Sequence, residues 1–296
     1  YSCEIKPLVE LCHRYDIPVL VDEAHGSYFL FCEDSDLPSS AVRAKADLVV
    51  HSLHKSLNGL TQTAMLWHYG NIIDKGKIAE KINLLQTTSP NSLLMASCEE
   101  SLKDWLERDS LKIYKKRISE AKYIYEELVS RGVPLIKTED PLKIVLNTGS
   151  TGIDGFTADK FFYKKGIIAE LPEMMTLTFS LGFVEQKDFV DIFENLWKSL
   201  LLKMKERKEL KPIKPPFNLI QIPEIPPSES LRRDSQEVNL NQSIGRISAD
   251  IICPYPPGIP LTIPGERIDK ERVDWLMQQG LMGENLLDFT INVLQD

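Results

Sequence analysis

The sequence predicts an α/β fold, and three observations predict it. Helical spacing of Ile5, Leu8, Val9, Leu11 and Cys12 comes first. Two apolar runs of the kind buried in parallel sheets follow, Ile17-Pro18-Val19-Leu20-Val21 and Asp47-Leu48-Val49-Val50. The first run ends in Asp22-Glu23-Ala24-His25-Gly26, and the second leads into Val50-His51-Ser52-Leu53-His54-Lys55-Ser56-Leu57-Asn58-Gly59. An acid and a lysine thus fall at the ends of successive strands, where open α/β sheets bind ligands.

In chain order, residues 4–15 read as a helix and 18–22 as a buried strand. Residues 47–51 and 63–68 read as two further strands, with Lys55 in a polar loop between them. Residues 91–106 and 110–131 read as helices, the second stopping at Gly132 and Pro134. A strand at 142–147, a helix at 156–164, strands at 167–171 and 175–181 and a helix at 186–205 suggest a small α+β domain. The charged stretch 203–214 reads as a solvated helix end. Residues 212–227 are proline-rich and read as a linker or extended arm. Prolines between 255 and 266 exclude a central strand there, and a last helix covers 269–279, entered at Asp269 and ended by Gly280. The expected domains are 1–135, 136–210 and 211–296.

The 296 residues suffice for two domains, or one large and one smaller. With 43% hydrophobic and 26% charged residues, a sizeable core is expected. A net charge of −8 argues against nucleic acid as the main partner. Five scattered cysteines form no Cys-x-x-Cys and no zinc spacing, so reduced thiols, no metal and a cytoplasmic location are expected. No apolar run reaches the roughly 20 residues of a membrane span, and no secretory signal is present.

Lys55 is the first candidate for chemistry. An amine that condenses with a carbonyl must be unprotonated, and a pyridoxal phosphate ring needs a carboxylate at its nitrogen, which Asp22 offers. The plainer alternatives are a surface lysine and an acid capping a turn. Ser52 and His54 carry donors suited to phosphate oxygens, and Asn58, Gly59 and Thr61 allow close backbone approach; an ordinary polar turn explains them too. His25 stands three residues from Asp22, within reach of a cofactor or serving structure alone. Thr87-Thr88-Ser89-Pro90-Asn91 either caps the helix it precedes or donates to a phosphate, across a subunit boundary. Glu266 and Asp250 are weaker candidates for binding a substrate cation.

Together these motifs resemble the Orn/Lys/Arg decarboxylase major class. Residues 50–64 match that family's lysine signature, and Asp22-Glu23-Ala24-His25-Gly26 its cofactor-nitrogen motif. Thr87-Thr88-Ser89-Pro90 and Tyr255-Pro256-Pro257-Gly258-Ile259-Pro260 resemble two more family segments. The resemblance covers nearly the whole chain. It implies an aspartate-aminotransferase-like large domain, here partial, with a small α+β domain and a C-terminal decarboxylase domain. It implies decarboxylation of arginine, lysine or ornithine with pyridoxal 5'-phosphate, in polyamine synthesis rather than acid resistance, by a homodimer or higher homo-oligomer. Another enzyme of that fold, an aminotransferase or aldol-type lyase, or a non-catalytic fragment, stands as the alternative. Residue by residue, Lys55 would bond the cofactor aldehyde and Asp22 would hold the pyridine nitrogen. Ser52 and His54 would contact the phosphate, His25 the phenolic oxygen, and Thr88 a neighbouring subunit's site. The family's phosphate loop and its stacking residue would lie before residue 1. The chain, opening at Tyr1, is therefore expected to be the later part of a longer protein and to bind cofactor weakly or not at all alone. Pro227-Ser228-Glu229-Ser230 departs from the family's pattern.

Overall fold

A computed structural model describes residues 3–32, 37–184, 187–204, 208–211, 221–254, 258–279 and 290–295. The chain divides into two units, Tyr1–Val145 with Phe179–Ser199, and Leu146–Thr178 with Leu200–Asp296.

In the first unit, α1 (Ile5–His13) turns Ile5, Val9 and Cys12 onto Val21 and Val49 of a small sheet and onto Val19 and Ala46 just before its strands, as their helical spacing requires. The sheet holds β1 (Leu20–Asp22), β2 (Leu48–Ser52) and β3 (Ala64–His68), in that order. Strands β1 and β2 are parallel, with Asp22 opposite Val50. The buried Asp47 carboxylate ties the layer together: its Oδ2 accepts from the Val19 amide at 2.8 Å and lies 2.9 Å from His13 Nε2.

Strand β1, expected to be buried, leaves Leu20 and Asp22 exposed and Val21 half-buried. Strand β3 runs antiparallel to β2, with Ser52 opposite Ala64. Residues 53–63 are too short for the crossover a parallel return demands. Lys55 lies not in a loop but in α2 (Leu53–Ser56), a single turn that follows β2 directly.

Helix α3 (Lys75–Leu85), capped by Asp74 on the Lys77 amide at 2.9 Å, was not expected. It buries no residue and so carries no core-facing stripe to read. Helices α4 (Ser92–Leu106) and α5 (Arg108–Ser130) follow. Asn91, rather than the hydroxyls before it, caps α4, accepting from the Leu93 amide at 2.9 Å. After α5 the chain turns through Gly132 at φ +81°, and the Val133 amide donates back to Leu128. Trp105 of α4 stacks on Tyr114 of α5 at 3.6 Å between centroids, and Phe183 meets both edge-on.

Burial pushes the Tyr114 hydroxyl from its ordinary 10.0 up to about 12, helped by its bond to Asp104. Above pH 10 the unfolded chain releases a proton that the folded protein keeps. This contribution to stability is therefore whole below pH 10 and is lost as pH rises towards 12. Tyr114→Phe has no such proton, so urea midpoints across pH 9–12 should fall less steeply than in the parent; equal slopes contradict the assignment.

The chain passes between the units within β5 (Lys143–Leu146), which follows the two-residue β4 (Leu135–Ile136). In the second unit, α6 (Gly155–Tyr163) is capped by Asp154 on the Thr157 amide at 2.8 Å. Strand β6 (Leu171–Pro172) pairs antiparallel with β7 (Leu177–Ser180), Leu171 opposite Thr178, and β7 crosses back to the first unit at Phe179. Helix α7 (Phe189–Lys203) again crosses the division. The rest of the unit holds α8 (Pro227–Ser230), β8 (Ser235–Asn239), α9 (Lys270–Gln279) and β9 (Thr290–Leu294). Its core is Leu240, Ile252, Leu261, Ile268, Val273, Leu276, Ile291 and Val293. Asp269 enters α9 as expected, accepting from the Arg272 amide at 2.7 Å. Among the described residues of the proline-rich region, Ile252 and Thr262 form an isolated antiparallel bridge, and β8 pairs with β9 as an antiparallel ribbon. Residues 212–220, 255–257 and Gly280 lie outside the described residues.

Candidate active site

The site grows from the parallel pair. Because β1 and β2 run the same way, Asp22 at the end of one and Ser52 at the end of the other reach the same edge of the sheet. Helix α2 starts at once from Ser52 and places Lys55 there, exposed. Asp22 is exposed, and its Oδ1 accepts from the Ala24 amide at 3.0 Å. The turn-capping role considered for Asp22 is thus real and occupies one oxygen.

His25 stands between two lysines. Its Nε2 lies 3.4 Å from Lys55 Nζ and its Nδ1 3.4 Å from Lys143 Nζ. Lys143 opens β5 and also donates to Ser180 Oγ.

Behind this edge runs a buried relay. Glu23 accepts from the Ala41 amide at 2.9 Å and from Ser40 Oγ at 3.3 Å, and it lies 2.7 Å from His51 Nε2. Trp67 Nε1 donates to His51 Nδ1 at 3.0 Å. An indole N–H only donates, so Nδ1 of the fully buried His51 is an acceptor and its proton sits on Nε2, donating to Glu23. The relay fixes the residue that follows Asp22, and so the end of β1. His51→Ala removes the acceptor of the Trp67 N–H, at about 1–3 kcal/mol for the group left unpaired, while Glu23 keeps its bonds from Ser40 and Ala41. Urea unfolding should show the loss, and an unchanged midpoint would refute the relay.

The chain after Lys55 is tethered too. Asn58 Nδ2 donates to Asp104 Oδ2 at 2.8 Å and to the Tyr114 hydroxyl at 3.1 Å. Gly59 leaves no room for a side chain: a Cβ would stand 2.3 Å from Thr63 Oγ1. Its close approach is therefore to its own loop.

The other candidates are placed as follows. Ser52 accepts at its carbonyl from Ser27 Oγ at 3.4 Å. His54 Nδ1 donates to the Thr63 carbonyl at 2.9 Å, so only a proton on Nε2 would let it donate to an anion. Thr88 is exposed in the segment between α3 and α4. Glu266 and Asp250 belong to the second unit. Glu266 is buried and accepts from the Ile263 amide at 3.1 Å, and Asp250 accepts from Asn292 at 2.7 Å. Both carboxylates already serve local structure.

Lys143, Ser180, His51 and Trp67 were not singled out from the sequence. The alternation of buried Val49 and His51 along β2 was the one local signal for His51. Among the described residues there is no His, Cys, Asp and Glu cluster able to hold a metal ion, and no helix long and apolar enough to cross a membrane.

The donor set fits pyridoxal phosphate: a primary amine, an imidazole beside it and a carboxylate converge on one sheet edge. Residues 1–132 match the family model for the Orn/Lys/Arg decarboxylase major domain, and residues 219–286 that for the C-terminal domain of the same family. Arginine decarboxylase of Bacillus subtilis (strain 168) is 28% identical over 315 residues, covering 99% of this chain and 63% of the relative. The uncharacterized protein YaaO of the same organism is 31% identical over 289 residues, covering 93% and 58%. Among solved structures, Francisella novicida lysine decarboxylase superposes with a TM-score of 0.75 at 18% identity, covering 97% of this chain and 55% of that one. Lysine decarboxylase A from Pseudomonas aeruginosa gives 0.73 at 14%, covering 99% and 55%. These two share the α/β fold. The chain spans less than two thirds of the length of these relatives.

Proposed function

The chain belongs to the Orn/Lys/Arg decarboxylase family, and from that premise we propose that the protein removes the α-carboxylate of arginine, lysine or ornithine as CO2. The observation that carries this reading is the meeting of Lys55, His25 and Asp22 at the end of the β1–β2 pair. Bound there, pyridoxal phosphate would supply a sink for the electron pair left by the departing carboxylate.

The chain's own residues would do the rest. Lys55 Nζ would hold the aldehyde and carry protons at its nitrogen. Asp22 would keep a proton on the pyridine nitrogen through the oxygen its turn does not use, with Glu23 and His51 holding that end of β1 in place. His25 would stand beside the phenolic oxygen. Ser52, His54 and a neighbouring subunit's Thr88 would meet the phosphate. This reading includes an aspartate-aminotransferase-like large domain at 1–135, a small domain at 136–210 and a C-terminal domain at 211–296. It also includes a cytoplasmic homodimer or higher homo-oligomer working in polyamine synthesis.

The test supplies the protein with pyridoxal phosphate and each of the three amino acids, labelled at the carboxyl carbon. Labelled CO2 together with the matching amine supports the proposal. A keto acid without CO2 makes the protein an aminotransferase. No product, and no cofactor bound at Lys55, makes it a non-catalytic relative.

A further inference from the structure

We propose that Lys143 is a substrate-binding residue, the cation that takes the α-carboxylate of the amino acid. This rests on the reading that the substrate's amine comes to the place of Lys55, and it names the group that meets the other charged end.

The observation is a cluster of positive charge with no counter-ion. His25 lies 3.4 Å from Lys55 Nζ on one side and 3.4 Å from Lys143 Nζ on the other. Among the described residues neither lysine joins an ion pair. Asp22, the acid at this edge, turns its Oδ1 to the Ala24 amide. Asp140 stands close enough to feel the charge of Lys143, yet its Oδ1 accepts from the Tyr28 hydroxyl and from the Leu142 amide at 2.9 Å. Two ammonium groups around one imidazole repel each other, whichever tautomer the ring holds, and an anion beside them relieves the repulsion.

Of the two, Lys143 is the one placed to hold that anion. It opens β5 and donates to Ser180 Oγ at the end of β7, so strand ends fix where its ammonium stands. An ammonium has three N–H donors. One goes to Ser180 and one faces His25, which leaves one for a carboxylate oxygen. Lys143 also lines a cavity of about 1030 Å³, through which a solute can reach it. A phosphate is the other oxyanion to consider. In pyridoxal phosphate the aldehyde carbon separates the phenolic oxygen from the phosphate arm. With His25 beside the phenolic oxygen, Lys143 on the far side of His25 stands away from the phosphate.

An α-amino acid carries its amine and its carboxylate on one carbon, so it spans the short step from the Lys55 position to the neighbouring cation. The contact selects α-amino acids, and it vanishes once CO2 has left. The amine product then has nothing for Lys143 to hold.

The experiment follows the Lys143 side chain by NMR in protein carrying lysine labelled with 13C at the ε carbon, the signal being assigned by its loss in Lys143→Arg. Arginine, lysine and ornithine are titrated in, and so are agmatine, cadaverine and putrescine, the same molecules without the carboxylate. At least one amino acid should move the Lys143 signal saturably, and its amine should not. By calorimetry, Lys143→Met should bind that amino acid about 10–100-fold more weakly, the effect of losing one hydrogen bond to a charged group, and bind the amine as before. No amino acid moving the signal, or an amine moving it as much, overturns the proposal on the parent alone, whether or not the variant folds. A folded Lys143→Met with the parent's affinity for the amino acid overturns it too. So does inorganic phosphate that moves the signal at lower concentration than any amino acid. Release of labelled CO2 tests the functional reading separately. Release with an unmoved Lys143 signal sinks this proposal and keeps that reading, and a moved signal without release does the reverse.

Discussion

Lys55→Ala should lower release of CO2 from basic amino acids by at least about 10²–10⁴-fold, the range that loss of a positioned proton-transfer group alone produces. Loss of the covalent anchor adds to this. The fold should survive, because Lys55 is exposed and sits on one turn whose core contact is the buried Leu53. Borohydride reduction of the parent with pyridoxal phosphate should leave a pyridoxyl group on Lys55, found by peptide mapping. Activity within tenfold of the parent, or a label on another lysine, would refute the assignment.

Asp22→Asn should lower turnover by about 10²–10³-fold, or about 3–4 kcal/mol, the effect of removing one preorganised electrostatic partner. This substitution separates the two roles of Asp22. An asparagine carbonyl still accepts from the Ala24 amide, so the turn closes as before. What disappears is the negative charge. A variant with the parent's unfolding midpoint and reduced turnover identifies the charge as the working element. Near-normal turnover would leave Asp22 as a turn cap only.

Much of the fold was legible because it is written locally. Val9 and Cys12 recur at helical spacing, and their burial against Val19 and Val49 follows from that period. Gly132 marks the end of α5 because a positive φ costs glycine little. Asp22 and Lys55 could be placed at one edge since Asp22 directly follows one apolar run and Lys55 stands one turn past the end of the next, and parallel neighbours bring their ends together. Helix α3 escaped notice for want of a buried face. Strand β8 was missed for a similar reason: of its five residues only Val238 is even partly buried, so no alternation shows.

What the sequence by itself determined is the list of reactive groups and the strand ends that carry them. The tertiary structure alone decided their partners. His25 and Lys143 are 118 positions apart, and Asn58 and Tyr114 are 56 apart. Side-chain period and turn chemistry act over a few residues. Which distant donor meets which lone pair depends on how strands and helices pack, and that packing sets which nitrogen of His51 holds its proton.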